Sequence, residues 1–191
     1  GADSGIGFQT ARLLLENGAR VVVTDKTTTE LEAARAELAP LGEVHAVTAD
    51  LTDPAAVDAL RGRALAVLGR VDILVNAAGI TGPTGAFHEL TDDDWRTTIE
   101  ADFLAAVRVV RAFVTGMRDA GWGRIVLFAS EDAVQPYAEE LPYCAAKAAI
   151  LNLTKGLSKT YTAHGVLVNA VSPAFIATPM TDAMMEKRAK E

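Results

Sequence analysis

The stretch GADSGIG, residues 1–7, opens the chain with glycines at positions 1, 5 and 7. Glycine reaches positive φ values and leaves room for a ligand against the backbone. A helical pattern begins at Gly5, and the start of a helix directs free N–H groups and a positive dipole end at an anion. The spacing predicts a loop that binds the pyrophosphate of a dinucleotide through Gly1, Ser4, Gly5, Ile6 and Gly7. A glycine-rich turn without a ligand is the alternative.

Short runs rich in Val and Ile follow this loop and alternate with longer helical patterns. The runs predict buried parallel strands at 19–24, 43–49, 71–76, 124–129 and 166–171. Helices are predicted after Gly5, over 28–39, from Pro54 behind an Asp53 cap, from Thr91 to about Asp119 with a kink near Gly116, and over 142–164. This alternation predicts a three-layer α/β/α Rossmann fold with a doubly wound parallel sheet. We expect one dinucleotide-binding domain over 1–191, with 173–191 as a substrate-loop region.

The glycine loop stands at the beginning of the chain, where such a loop normally follows a strand. In the expected sheet order, that first strand lies between the strands at 19–24 and 71–76. We therefore expect the 191 residues to be a fragment. On this interpretation the first strand precedes Gly1, and the last strand and closing helices follow Glu191.

Composition narrows the class of protein. Half of the residues are hydrophobic and the net charge is −7, which favours a globular domain and argues against nucleic acid as the main partner. No apolar run approaches the ~20 residues of a membrane helix. The single cysteine, Cys144, fits a reducing cytoplasm, and the three histidines show no metal-ligand spacing. We expect a cytoplasmic protein without a metal that acts on a small molecule.

Asp25 follows the run at 19–24 and lies 18 residues after Gly7. An acidic residue about 20 residues beyond the loop accepts hydrogen bonds from the ribose hydroxyls and repels the extra phosphate of NADP. The position therefore favours NAD over NADP. Lys26 is a counterweight, because a cation could hold that phosphate, and an ordinary turn residue is the alternative interpretation of Asp25.

Tyr143 and Lys147 are four residues apart on a predicted helix, so their side chains share one face. A nearby ammonium lowers the pKa of a phenol, and such a pair can move a proton to or from an alcohol or carbonyl. Ser130 follows the strand at 124–129, where ligands bind in open α/β sheets. An amphipathic helix after a turn serine is the alternative.

Together these pieces resemble the main single-domain branch of the short-chain dehydrogenase/reductase family. The resemblance covers residues 1 to about 180 and includes GADSGIG, Asp50 with Leu51, NAAG at 76–79, Ser130, YCAAK at 143–147 and SPAFIATPM at 172–180. It implies that Tyr143 is the acid/base, that Lys147 also binds the nicotinamide ribose, and that Ser130 orients the substrate. The further cofactor contacts that it implies are Asp50 and Leu51 on adenine, Asn76, Ala78 and Gly79 beside the central strand, and Pro173, Ile176 and Thr178 on the nicotinamide amide. For Asp50, helix-entry capping is the alternative.

Asp102 departs from the family pattern, which has asparagine at this position. The resemblance implies that its main-chain carbonyl holds a water beneath Lys147 in a proton relay, and a backbone carbonyl survives the replacement. The carboxylate could raise the pKa of Lys147, whereas a helix residue paired with a nearby arginine is the alternative. Four further acids bracket the catalytic stretch, at Glu131, Asp132, Glu139 and Glu140. They indicate either a solvated loop or selection for a neutral, polyhydroxy or cationic substrate.

The resemblance implies an NAD(P)-dependent oxidoreductase that passes hydride between nicotinamide and a secondary alcohol or ketone. A catalytically weak dinucleotide-binding sensor or scaffold is the alternative. Within enzymes, 3-oxoacyl-(acyl-carrier-protein) reductase activity ranks second, because the net charge of −7 repels an acidic carrier. Family members usually form tetramers or dimers, so we expect a homo-oligomer.

Overall fold

A computed structural model describes residues 1–179, 181, 182 and 185. Helices and strands alternate along it as α1 (Gly5–Glu16), β1 (Val21–Val23), α2 (Thr28–Leu38), β2 (Val44–Ala46), α3 (Pro54–Leu68), β3 (Ile73–Asn76), α4 (Asp92–Ile99), α5 (Ala105–Asp119), β4 (Gly123–Phe128), α6 (Leu141–Tyr161) and β5 (Val166–Val171). A π-helical segment, Glu100–Leu104, joins α4 to α5, and short 3-10 turns occupy Ala39–Leu41, Glu131–Ala133 and Thr162–His164. Of the predicted substrate-loop region, residues 180, 183, 184 and 186–191 lie outside the described part.

All the strand pairings described are parallel. β1 pairs with β2, and Val22 lies opposite His45. β4 lies between β3 and β5, so that Ile125 faces both Leu74 and Val168. Parallel strands connected through helices confirm the predicted three-layer Rossmann fold.

The strands of the described residues form two sheets, where the sequence predicts one. An apolar cavity of about 420 Å³ lies between β1 and β3, and Val22, Leu74 and Phe113 are among the residues that line it.

Two apolar clusters hold the helices on the strands. The smaller one joins α1, α2 and β1 through Leu15, Leu31, Leu38 and Val23. The larger one joins α3, α5, α6 and the three-stranded sheet around buried side chains such as Ile125, Leu127, Met117 and Ile150. In the described residues, no helix combines the length and the apolar character needed to cross a membrane.

The starts of α3 and α4 follow the predicted signals, whereas the predicted irregularity inside α5 does not occur. The Asp53 side chain accepts the Ala55 N–H at the start of α3, and Thr91 with Asp94 forms a capping box before α4. The predicted kink near Gly116 is wrong, because α5 is regular there. The irregularity lies instead in the π-helical segment, which contains Asp102, and such segments are frequent at functional sites.

Candidate active site

A cleft of about 720 Å³ opens where β1, β3 and β4 end. Most of the residues predicted to bind a cofactor or substrate line it: Gly1, Ser4, Gly5, Ile6, Gly7, Asp25, Asp50, Leu51, Ala78, Gly79, Ser130, Tyr143, Lys147, Pro173, Ile176 and Thr178. Asn76 does not. It is buried at the end of β3 and lines the cavity between the sheets, as do its neighbours Val75 and Ala77.

The glycine loop forms one end of the cleft. A Cβ placed on Gly7 would lie 1.6 Å from the Gly1 carbonyl oxygen, so no side chain fits there. Gly5 has a φ of 55°, and its open side meets the Thr178 methyl group. α1 begins at Gly5, so its free N–H groups lie at this end of the cleft. The cradle fits the pyrophosphate of a dinucleotide.

Two aspartates lie beside this loop. Asp25 follows β1, and its Oδ1 accepts the N–H of Lys26 at 2.7 Å and that of Thr27 at 3.3 Å. Asp50 accepts hydrogen bonds from both the N–H and the hydroxyl of Thr52. Both bonds lower the pKa of Asp50, and the bond from the hydroxyl has the larger effect. Because Asp53 caps α3, helix capping does not explain Asp50.

The opposite end of the cleft holds the predicted catalytic residues. Ser130 follows β4, whereas Tyr143 and Lys147 lie one turn apart on α6. The Lys147 ammonium lies 5.2 Å from the centre of the Tyr143 ring and donates to the Phe128 carbonyl at 3.4 Å. Lys147 is only 5% exposed. The fold therefore brings Ser130, Tyr143 and Lys147 to one place.

The pKa of Tyr143, at this end of the cleft, differs from the expectation. Burial raises the pKa of Tyr143 to about 12. The nearby Ser130 hydroxyl opposes that rise, and the negative charges of Asp102, Asp132 and Glu140 add to it. Burial also lowers the pKa of Lys147, against the attraction of Asp102. The predicted lowering of the phenol pKa is therefore wrong for this arrangement, because burial and three carboxylates raise the pKa of Tyr143.

Asp102 lies directly behind the cleft wall and is 1% exposed. Its Oδ1 accepts the Ile80 N–H at 2.7 Å, and no hydrogen-bond partner for Oδ2 occurs among the described residues. Burial raises the pKa of Asp102, while Lys147 and the Ile80 N–H act against that rise. A Cβ on Gly79 would lie 2.9 Å from Asp102 Oδ1 and 3.1 Å from Lys147 Nζ. Asp102 thus lies close to Lys147, and the alternative of pairing with an arginine is wrong.

The acidic stretch after Ser130 is not uniformly solvated. Asp132 and Glu140 are buried, at 7% and 6% exposure, and Asp132 Oδ2 accepts the Ser130 hydroxyl at 2.9 Å. Glu131 accepts the Tyr137 hydroxyl instead. The pairing of Asp132 with Ser130 is not predicted from the sequence. The available signal is the Ser-x-Asp spacing, which is typical of a serine that caps a short turn.

The loop after β5 is attached to the catalytic strand through its backbone. The N–H of Ala129 donates to the Val171 carbonyl at 2.9 Å, and the N–H of Glu131 donates to the Pro173 carbonyl at 3.0 Å. These two bonds flank Ser130. The predicted nicotinamide-binding residues Pro173, Ile176 and Thr178 therefore start from a point fixed next to the serine.

The fold defines a Rossmann-fold protein with a cleft at the ends of its strands, and comparison with known proteins agrees on the fold. A family model described as short chain dehydrogenase matches residues 1–189. The cis-4-hydroxycyclohexanecarboxylate dehydrogenase of Sinomonas cyclohexanicum is 41% identical over 180 residues, which cover 94% of this chain and 72% of that protein. The 1-deoxy-11-beta-hydroxypentalenate dehydrogenase of Streptomyces avermitilis is 38% identical over 191 residues, covering 98% of this chain and 71% of that protein.

Solved structures give the same result. Levodione reductase superposes with a TM-score of 0.96 at 30% identity, covering 100% of this chain and 75% of that one. A variant of actinorhodin polyketide ketoreductase with NADPH has a TM-score of 0.96 at 34% identity, covering 99% and 73%. The chain belongs to the short-chain dehydrogenase family. It is an oxidoreductase of alcohols or ketones from a family that binds a nicotinamide cofactor.

Proposed function

We propose that this protein interconverts a neutral cyclic secondary alcohol and its ketone with NAD as the cofactor. The observation that carries the proposal is the convergence of Ser130, Tyr143 and Lys147 at one end of a cleft whose other end is the glycine loop. The two dehydrogenase relatives named above act, by their names, on hydroxylated ring carboxylates, which supports a cyclic substrate. The negative charge of those substrates is the argument against the neutral class. The buried carboxylates Asp132 and Glu140 favour a neutral substrate, because they repel an anion.

In this proposal the nicotinamide, when bound, supplies the hydride chemistry. Tyr143 acts as the general acid/base: it takes the proton of the alcohol during oxidation and gives a proton to the ketone oxygen during reduction. Lys147 places a positive charge beside Tyr143, with its ammonium 5.2 Å from the ring centre. Ser130 hydrogen-bonds the substrate oxygen. Gly1, Gly5 and Gly7 give the pyrophosphate access to backbone N–H groups, and Gly79 keeps the wall beside Lys147 free of a side chain.

The preference for NAD rests on Asp25. Its carboxylate lines the cleft at the end of β1 and is held there by two backbone N–H groups. A carboxylate at this position can accept hydrogen bonds from the ribose hydroxyls and repels a 2′-phosphate. Lys26 and the NADPH of the actinorhodin neighbour are the arguments for NADP. Competing measurements of kcat/KM with NAD and NADP test the assignment, and a strong preference for NADP contradicts it.

The test of the activity is absorbance at 340 nm with NAD and cyclohexanol, cis-4-hydroxycyclohexanecarboxylate and a linear secondary alcohol, together with the matching ketones. We expect turnover of cyclohexanol and loss of about a thousandfold in kcat for Tyr143→Phe, the usual range for a lost acid/base. The dissociation constant of NADH from this variant, measured by NADH fluorescence, should remain within twofold of the wild type. Tyr161→Phe, on the same helix but further from the cleft, is the control.

The sensor or scaffold alternative has one observation in its favour, the high pKa of Tyr143, which leaves little phenolate at neutral pH. Cofactor binding without turnover on the whole panel supports that alternative. An acetoacetyl thioester belongs in the panel, because a polyketide ketoreductase is among the solved neighbours. If the thioester is preferred over cyclohexanone, the substrate is carrier-bound and the cyclic-alcohol proposal is wrong.

A further inference from the structure

The feature that the proposed mechanism leaves unexplained is the buried carboxylate of Asp132. It belongs to the turn Glu131–Ala133, for which Ser130 is the N-cap. Asp132 Oδ2 accepts the Ser130 hydroxyl at 2.9 Å, and the Asp132 N–H donates to Ser130 Oγ at 3.3 Å. The two residues therefore form a closed ring, in which the serine hydroxyl both donates and accepts.

A serine hydroxyl has one proton to donate and two lone pairs that accept. In this ring the proton is directed at Asp132, and one lone pair takes the Asp132 N–H. One lone pair remains for the substrate. An alcohol can donate its O–H to that lone pair, whereas a ketone oxygen has no proton and needs a donor instead. The ring thus distinguishes the two forms of the substrate.

We propose that Asp132 is a positioning residue that fixes the Ser130 hydroxyl as an acceptor toward the substrate, so that the site binds the alcohol more tightly than the ketone. This inference rests on the proposed function of the same site. It assigns Asp132 no contact with the substrate. It concerns only the direction in which Ser130 hydrogen-bonds.

Asp132 also acts on Tyr143 through its charge. The titratable groups near Tyr143 are Asp102 from the π-helical segment, Asp132 from the turn, Glu140 at the N-cap of α6, and Cys144 and Lys147 from α6. The negative charges of this set raise the pKa of the phenol. Removing the charge of Asp132 and removing its acceptor oxygen are different changes, and two variants separate them.

The experiment compares Asp132→Asn with Asp132→Ala. Asparagine keeps an oxygen that accepts from Ser130 but carries no charge, whereas alanine leaves the serine proton free for a ketone. Glu131→Gln is the matched control, because Glu131 is adjacent and pairs with Tyr137 rather than Ser130. The measured quantity is the ratio of the KM for cyclohexanone to the KM for cyclohexanol, each with saturating NADH or NAD.

We expect this ratio to fall about tenfold in Asp132→Ala, the effect of one hydrogen bond that involves a charged group. It remains within threefold of the wild type in Asp132→Asn and Glu131→Gln. A ratio in Asp132→Ala that stays within twofold of the wild type overturns the proposal. An equal fall in Asp132→Asn also overturns it, because charge alone then explains the effect.

A binding measurement makes the test independent of turnover. Dissociation constants of cyclohexanol from the enzyme–NADH complex and of cyclohexanone from the enzyme–NAD complex should change in the same sense. If the wild type binds both probes but turns neither over, the proposed function is wrong while the Asp132 comparison still stands. If Asp132→Ala does not fold, Asp132→Leu, which also lacks an acceptor oxygen for Ser130, takes its place in the same comparison, and a ratio within twofold of the wild type contradicts the proposal.

Discussion

The two ends of the cleft are built by different means. At the glycine loop, backbone groups form the surface, and the strictest requirement is space, since a Cβ on Gly7 would lie 1.6 Å from a carbonyl oxygen. At the catalytic end, side chains form the surface, and the strictest requirement is charge, since Lys147 and Asp102 are 5% and 1% exposed. The first end should therefore respond to added volume, and the second to a removed or reversed charge.

The largest expected effect tests the charged end. Replacing Lys147 by Met keeps most of the buried chain and removes the ammonium, so we expect kcat to fall about a thousandfold, within the range of acid–base contributions. Lys155→Met, at an exposed position of the same helix, should leave kcat within twofold. Steady-state rates at 340 nm measure both. A fall of less than tenfold for Lys147→Met would mean that charge does not govern this end.

The next effect tests the requirement for space. Gly7→Ala should weaken cofactor binding about a hundredfold, because a displacement of about 1 Å at a positioned group has that effect. Gly62→Ala is the matched control: Gly62 lies within α3 with nothing within 4 Å of its added Cβ. It should leave cofactor affinity unchanged and raise the free energy of unfolding by up to about 1 kcal/mol. Fluorescence titration with NADH and denaturant unfolding measure the two quantities, and equal affinities for the two variants contradict the prediction.

A smaller effect is expected for Asp25, a charged residue at the glycine-loop end of the cleft. Asp25→Ser should lower kcat/KM for NAD about tenfold, as expected for loss of a charged hydrogen bond, and should raise kcat/KM for NADP. Asp58→Asn, exposed on α3, is the control for net charge. A change of the same size for both cofactors would show that Asp25 supports the loop without recognising the ribose.

The smallest effect is expected for Asp102, which lies at the other end of the cleft. Asp102→Asn should change kcat less than tenfold, because asparagine can still accept the Ile80 N–H that Asp102 accepts at 2.7 Å. It also removes a negative charge that raises the pKa of Tyr143. Alcohol oxidation requires the deprotonated tyrosine, so its rise with pH should shift to lower pH. A gain in kcat of more than tenfold would show that the natural carboxylate impairs turnover.

Much of the cleft is predictable from the sequence because its residues follow strand ends. Local structure fixes the positions of the glycine loop, Asp25, Ser130 and the Tyr143–Lys147 pair. Parallel strands bring their carboxyl ends to one edge of the sheet. The placement of Asn76 is not predictable in this way. It depends on the cavity between β1 and β3, which Asn76 lines together with Val75 and Ala77, and a short apolar run does not indicate that cavity.

The electrostatic part of the site depends on contacts between distant segments. The burial of Asp102 depends on the π-helical segment, and no pattern in residues 100–104 distinguishes it from ordinary helix. Asp132 is one of several acids in a stretch that reads as solvated, and only packing against α6 reveals its burial. The direction of the Tyr143 pKa shift follows from these two placements, so the sequence could not supply it.

The pair of backbone bonds around Ser130 has a consequence for how motion in this protein can be observed. The Glu131 amide hydrogen is held by the Pro173 carbonyl, at the start of the predicted substrate loop. Deuterium uptake at this one amide therefore reports detachment of the loop, although the amide itself lies beside the catalytic serine. Protection of the Glu131 amide that increases with added cofactor would time loop closure from inside the active site, without any label on the loop.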